Sequence, residues 1–186
     1  MYKHVFLTGP PGVGKTTAVR TVSGMLQSSG VPIQGFYTEE VRAGGGGGRR
    51  IGFDIVTLCG KRGTLSRAGP HTDRREHRVG QYVVDLVSFQ QLAIPTLTVG
   101  DGDTVCVIDE IGKMELCSEP FIQAVRTVLE GGKAVIFGTI PIPKGKPLPL
   151  IEEIRRRPDV KVFNITKENR DGILQELLET IQNCRK

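Results

Sequence analysis

Tryptophan is absent from this 186-residue chain, and aromatic residues make up only 5% of it. So few rings leave little for the stacked bases of a single-strand nucleic-acid-binding module. The four cysteines, Cys59, Cys106, Cys117 and Cys184, stand apart with no Cys-x-x-Cys spacing. That argues against a zinc site or a disulfide-stapled scaffold and fits a reducing compartment. No apolar run approaches the ~18 residues that a membrane span requires. The opening Met1-Tyr2-Lys3-His4-Val5 leads straight into a strand-like run, without the charged-then-apolar layout of a secretory leader. A cytoplasmic protein without membrane contact is the expectation.

What the chain does have is a patterned charge. Lys and Arg number 25 against 20 Asp and Glu, a net +5. Residues 41–80 carry nine basic and three acidic side chains, whereas residues 81–143 carry three and eight. Residues 144–170 are basic again, with eight against four. Such blocks read either as solvated faces or as a surface turned towards a polyanion. The length suits one domain of roughly 100–200 residues, expected to span 1–186.

Strand-like and helix-like segments alternate, the mark of an α/β fold with a mostly parallel central sheet between helical layers. Val5-Phe6-Leu7 ends in a Gly/Pro-rich turn, and a helical pattern follows to about Leu26. Gly35 to Thr38 and Arg50 to Leu58 read as strands, the latter with the period-two alternation of antiparallel pairing. The run Gly44 to Gly48 between them cannot pack a core and predicts a hairpin tip. Lys61 to Arg78 reads as a polar, basic, turn-rich loop, and Val79 to Asp85 as an edge strand. Val105 to Ile108, Ala134 to Phe137 and Val160 to Phe163 are further strands. Helices are expected over Pro120–Leu129, near 150–157, and from Thr166 or Asn169 onward. The antiparallel-looking stretch 36–84 is read as an insertion between βα units.

The chemistry is carried by Gly9-Pro10-Pro11-Gly12-Val13-Gly14-Lys15-Thr16, a G-x-x-x-x-G-K-[ST] loop between an apolar strand and an amphipathic helix. Its glycines let backbone N–H groups converge on a phosphate chain, and the helix start adds a positive pole. Lys15 can bridge the β- and γ-phosphates, and the Thr16 hydroxyl can ligate Mg²⁺. A second element comes from Val105-Cys-Val-Ile-Asp109-Glu110, a buried strand ending in two carboxylates. Asp109 is the candidate metal holder and Glu110 the candidate base for an attacking water. Ile111 and Gly112, next along the chain, are placed in the nucleotide site with them. Lys113 either neutralises charge developing on the γ-phosphate or is a surface lysine paired with a carboxylate. Thr139 either touches the γ-phosphate or merely closes a strand-end turn, and Glu115 reads as a structural, helix-start carboxylate. Thr166-Lys167-Glu168-Asn169 lacks the Asp of a guanine reader and fits a helix-capping turn.

These residues resemble a known family. Gly9 to Thr16, Gly35-Phe-Tyr-Thr-Glu-Glu-Val41, Arg50-Ile-Gly-Phe-Asp54, Val79-Gly-Gln-Tyr-Val-Val-Asp85 and Ile108-Asp-Glu-Ile-Gly-Lys-Met-Glu-Leu116 are similar to the thermophilic nucleoside-triphosphatase family, over residues 4 to about 170. The resemblance implies a three-layer P-loop NTPase fold of RecA-like type, with Ala134 to Phe137 lying between the P-loop strand and the acidic strand. It also implies Mg²⁺-dependent hydrolysis of nucleoside triphosphates to diphosphate and phosphate, slow and broad across ATP, GTP, CTP and UTP. The family's P-loop carries over to Gly9 through Thr16 and its acidic pair to Asp109 and Glu110. The glycine tract at 44–48 is longer than the resemblance predicts for that hairpin.

Two other activities fit parts of the sequence. A small nucleotide or nucleoside kinase would use Arg62, Arg67, Arg74, Arg75 and Arg78 as a lid. A nucleotide-gated RNA-binding module would use the two basic segments. The expected partner is a nucleoside triphosphate, with no nucleic acid, and the expected state is a monomer.

Overall fold

A computed structural model describes residues 1–44, 46–70, 76–98 and 103–186. Along the chain run β1 (His4–Thr8), α1 (Lys15–Ser28), β2 (Ile33–Arg42), β3 (Arg50–Thr57), β4 (Arg62–Ala68), β5 (His77–Val79), β6 (Tyr82–Val84), α2 (Leu86–Ala93), β7 (Thr104–Asp109), α3 (Glu119–Gly131), β8 (Ala134–Thr139), α4 (Pro149–Arg156), β9 (Val160–Asn164) and α5 (Leu174–Cys184). The strands form one sheet in the order β5-β6-β4-β3-β2-β7-β8-β1-β9. From β2 to β9 neighbours run parallel, and from β2 outward to β5 they run antiparallel.

The parallel part is dictated by strands that are apolar on both faces. Alternate residues of β1, β7 and β8 enter two separate cores. Val5, Leu7, Val105, Val107 and Phe137 pack with Val19, Val22 and Leu26 of α1 and with Leu177 and Ile181 of α5. Phe6, Cys106, Ile108 and Ile136 face the other way, onto Phe89 of α2, Phe121 and Val125 of α3 and Ile154 of α4. The three-layer, P-loop arrangement expected from the sequence is what forms, with β8 seated between β1 and β7.

Three rings pin α2 and α3 to the sheet. Phe36, Phe89 and Phe121 meet edge to face, with centroids 5.1–6.0 Å apart. All three are fully buried. Phe89→Ala is expected to cost about 3–5 kcal/mol, because the hole at this junction cannot be refilled by a neighbouring ring. Urea unfolding should show a lower midpoint at an unchanged m-value.

The segment 36–84 departs from the sequence reading in two places. β2 belongs to the parallel sheet through Ile33 to Tyr37, in register with β7, and pairs with the antiparallel ribbon from Phe36 to Arg42. The stretch read as a loop from Lys61 contains β4, because pairing with β3 and β6 and burial of Leu65 and Ser66 outweigh its polar composition. The expected edge strand is β6, and it is covered in turn by β5. Gly44 and Gly46 to Gly48 lie at the β2–β3 hairpin tip, closed by the Ala43 N–H bonding the Arg49 carbonyl at 2.9 Å, while Gly45 lies outside the described residues. The last helix begins at Leu174, later than expected, after turns over 167–173.

Candidate active site

The site lies where β1, β7 and β8 end together. The P-loop leaves β1 and enters α1 through Gly14, whose φ of +112° suits only glycine. α1 has no side-chain cap and no acidic residue in its first turn, so its leading N–H groups and positive pole are uncompensated. That is the local chemistry of an anion site. The ammonium of Lys15 donates to the Gly9 carbonyl at 2.8 Å, folded back across the loop it serves.

At the end of β7, Asp109 is buried, and its Oδ1 accepts from the Thr139 hydroxyl at 2.7 Å. The nearby Thr16 hydroxyl also favours the charged form of this carboxyl group. Oδ2 is also buried and has no hydrogen-bond partner. A buried carboxylate oxygen left free beside a hydroxyl suits a hard cation, and Mg²⁺ characteristically takes one or two protein oxygens with phosphate and water. The donor set at Thr16 and Asp109 therefore fits Mg²⁺.

Glu110 follows and turns into the cavity. Its carboxylate packs over Gly112 so closely that a Cβ there would lie 2.6 Å from Oε1. Burial pushes its carboxyl above the ordinary range; the Lys15 charge opposes this and Asp109 adds to it. Burial likewise raises Asp109, against the hydroxyls of Thr139 and Thr16.

A cavity of about 680 Å³ opens here, lined among others by Gly9, Pro11, Gly12, Lys15, Thr16, Asp109, Glu110 and Lys113. All eight are residues that the sequence reading placed in the site. Pro10 is exposed on the loop, and Val13 is buried beneath it. Gly14 lines the opposite side of the loop, against Arg170. Ile111 is fully buried, its N–H donated to the Thr139 carbonyl at 3.0 Å, so it anchors the strand end. Gly112 makes room for Glu110. Lys113 is exposed at the cavity and enters no ion pair among the described residues.

A family model described as NTPase matches residues 4–178. The chain belongs to the NTPase family. Human cancer-related nucleoside-triphosphatase is 63% identical over 193 aligned residues, covering 100% of both chains. The solution structure of a human cancer-related nucleoside triphosphatase superposes with a TM-score of 0.85 at 62% identity, over 99% of this chain and 100% of that one. The crystal structure of THEP1 from Aquifex aeolicus matches with a TM-score of 0.78 at 37% identity, over 96% and 99%.

This NTPase holds site features that sequence reasoning passed over. Glu115 does start a short 3₁₀ turn, Glu115–Cys117, yet it is also buried and lines the cavity. It stands in the Ile108–Leu116 motif, but spacing alone does not show which way it faces. The Thr139 hydroxyl bonds Asp109 at the strand end. Thr38, Glu40 and Arg50 reach the cavity from the antiparallel ribbon, a long-range placement with no local sequence signal. The tetrad at 166–169 forms a turn but does not cap the last helix, which starts at Leu174 with Ile173 before it. Thr166 N–H bonds Asn169 Oδ1 at 2.8 Å, and Asn169 N–H bonds Thr166 Oγ1 at 3.1 Å.

Burial lifts Glu115 well above the ordinary glutamate value of 4.5, helped by the charge of Glu110 and opposed by the N–H groups of Glu115 and Gly112. The folded protein thus holds this proton more tightly than the unfolded chain. The resulting stability is complete below the ordinary value and is lost as pH rises through the raised one. Glu115→Gln, which keeps the shape without the charge, is expected to melt like the parent near pH 4 and increasingly above it towards neutral pH. Thermal melts across pH without nucleotide or Mg²⁺ check this; equal melting temperatures throughout would contradict it.

Proposed function

We propose that this protein hydrolyses nucleoside 5′-triphosphates to the diphosphate and phosphate, with broad base preference, as a cytoplasmic monomer. The observation that carries the reading is the convergence of Lys15, Asp109 with its free buried oxygen, and Glu110 on one cavity. Backbone N–H groups of the P-loop and the start of α1 take the phosphates. Lys15 offsets charge on the γ-phosphoryl group as it develops. Glu110 orients a water in line with the γ-phosphorus and accepts its proton. Thr16 and Asp109 would hold Mg²⁺, which supplies charge neutralisation on the phosphate oxygens. Thr139 fixes Asp109 in place.

Broad base preference is supported by the locked turn at 166–169, where Asn169 Oδ1 and Thr166 Oγ1 each accept the other residue's backbone N–H and the Asn169 amide donates to the Asn164 carbonyl, and by a loop whose chemistry suits phosphates. The free state of Cys59, Cys106, Cys117 and Cys184 fits a reducing compartment. Among the described residues no helix is long and apolar enough to cross a membrane.

A phosphate-release panel over ATP, GTP, CTP and UTP, with Mg²⁺ and with a chelator, tests the proposal. Release from all four that stops with the chelator is expected. Release from one base only, or unaffected by chelation, would refute the corresponding part.

A further inference from the structure

The cavity is larger than hydrolysis needs, and it extends beyond the γ-phosphoryl position. A P-loop holds its nucleotide with the γ-phosphate at the lysine and the acidic strand end, and with the α-phosphate towards the first helical turn. Gly9, Pro11, Gly12, Lys15 and Thr16 face the cavity, whereas Gly14 faces Arg170, 3.3 Å from where its Cβ would be. The nucleoside therefore leaves on the Arg170 side. The cavity of about 680 Å³ takes in the P-loop and runs past Glu110 towards the antiparallel ribbon, on the opposite side of β1 from β9 and Arg170. An attacking water fills only about 30 Å³ of such a space.

The walls of this extension are mainly apolar. Phe53, Leu65 and Val79 form one side, from the antiparallel ribbon, and Met114, Leu148 and Ile151 form the other. The nearby arginines are not free to clamp an acid. Arg50 is held by Glu40 at 3.1 Å and by the Tyr82 hydroxyl at 2.8 Å. Arg62 and Arg67, offered by the sequence as parts of a phosphate-clamping lid, are bound to Asp54. Arg78 bonds the Gly69 carbonyl at 2.6 Å, and Arg74 and Arg75 lie outside the described residues. Glu110 and Glu152 line the cavity as carboxylates, and Lys113, Lys144 and Lys146 line it too, as exposed side chains whose ammonium groups reach solvent.

We propose that this extension is an acceptor site for a small, uncharged alcohol with an apolar body, to which the same machinery transfers the γ-phosphoryl group. The inference rests on the triphosphatase reading of Lys15 and Glu110. The acceptor oxygen forms the new P–O bond, the bond from the γ-phosphorus to the β,γ-bridging oxygen breaks, and the electron pair leaves with the nucleoside diphosphate. Glu110 accepts the hydroxyl proton. The apolar body displaces water from around the reacting phosphoryl group, which transfer to an alcohol requires. Hydrolysis occurs when water occupies the place of the hydroxyl.

The test uses the full chain with Mg²⁺ and ATP, and benzyl alcohol, cyclohexanol or 2-phenylethanol at millimolar concentration. Phosphorus NMR should show a phosphate monoester appearing at the expense of inorganic phosphate. Methyl spectra should shift at Leu65, Val79, Met114, Leu148 and Ile151. Leu148→Trp, which fills the cavity, should lower the ester-to-phosphate ratio by about tenfold or more. Phosphate release without ester from any of the three alcohols, whether or not the methyls move, overturns the acceptor site and leaves the triphosphatase standing. Preferential phosphorylation of an added nucleoside monophosphate also overturns it, in favour of a charged acceptor. Neither phosphate nor ester in the absence and presence of alcohol overturns the triphosphatase reading itself.

Discussion

Glu110→Gln is expected to bind nucleoside triphosphate about as the parent does and to lose about 10²–10⁴-fold in turnover, the usual contribution of a positioned general base. The change removes the proton acceptor and leaves the phosphate cradle intact. Lys15 remains, Asp109 keeps its bond from Thr139, and the amide fits over Gly112 where the carboxylate sat. Removing one of three neighbouring carboxylates also relieves Glu115, so the variant should fold at least as stably at neutral pH. Single-turnover phosphate release and titration with a fluorescent triphosphate separate the two effects. Release near the parental rate would remove Glu110 from the role of base.

Lys15→Ala is expected to act on both binding and rate, lowering kcat/KM by about 10²–10³. The ammonium is the one side-chain cation of the loop, and its bond to the Gly9 carbonyl shows that the side chain can fold across it. Its loss has a second consequence. The Lys15 charge is what opposes the upward push of burial on Glu110, so the acid limb of the pH–rate profile should move to higher pH in the variant. Lys15→Arg should not restore the rate, since a planar guanidinium does not fit where a compact ammonium sits. A variant with an unmoved acid limb would show that Lys15 and Glu110 are not coupled.

How much of this was legible beforehand follows from the range of the interactions involved. The P-loop is local: six backbone N–H groups, a lysine and a hydroxyl lie within eight consecutive residues, and strand and helix on either side are written in apolar periodicity. Asp109 and Glu110 were equally readable, because a buried strand must end somewhere and a carboxylate pair at that end has few other uses beside such a loop. Thr139 could not be assigned, since its role depends on β8 lying beside β7 in register, which sets its hydroxyl against Asp109. β4 was hidden for a related reason. Its residues are polar, and only pairing on both sides makes a strand of them.

The charge pattern shows the same division. The sequence by itself placed acid at 81–143 and base at 41–80, and it determined the phosphate-binding loop and the acidic strand end, because these depend on residues adjacent in the chain. Only the tertiary structure decided what the basic block does. Arg50, Arg62 and Arg67 lie beside Glu40 and Asp54 across a sheet and are neutralised there. Their carboxylate partners are fixed by strand register, which is a property of the folded sheet. The cavity beyond Glu110 is likewise made by two distant segments, the antiparallel ribbon and the loop before α4, brought to opposite sides of one strand end.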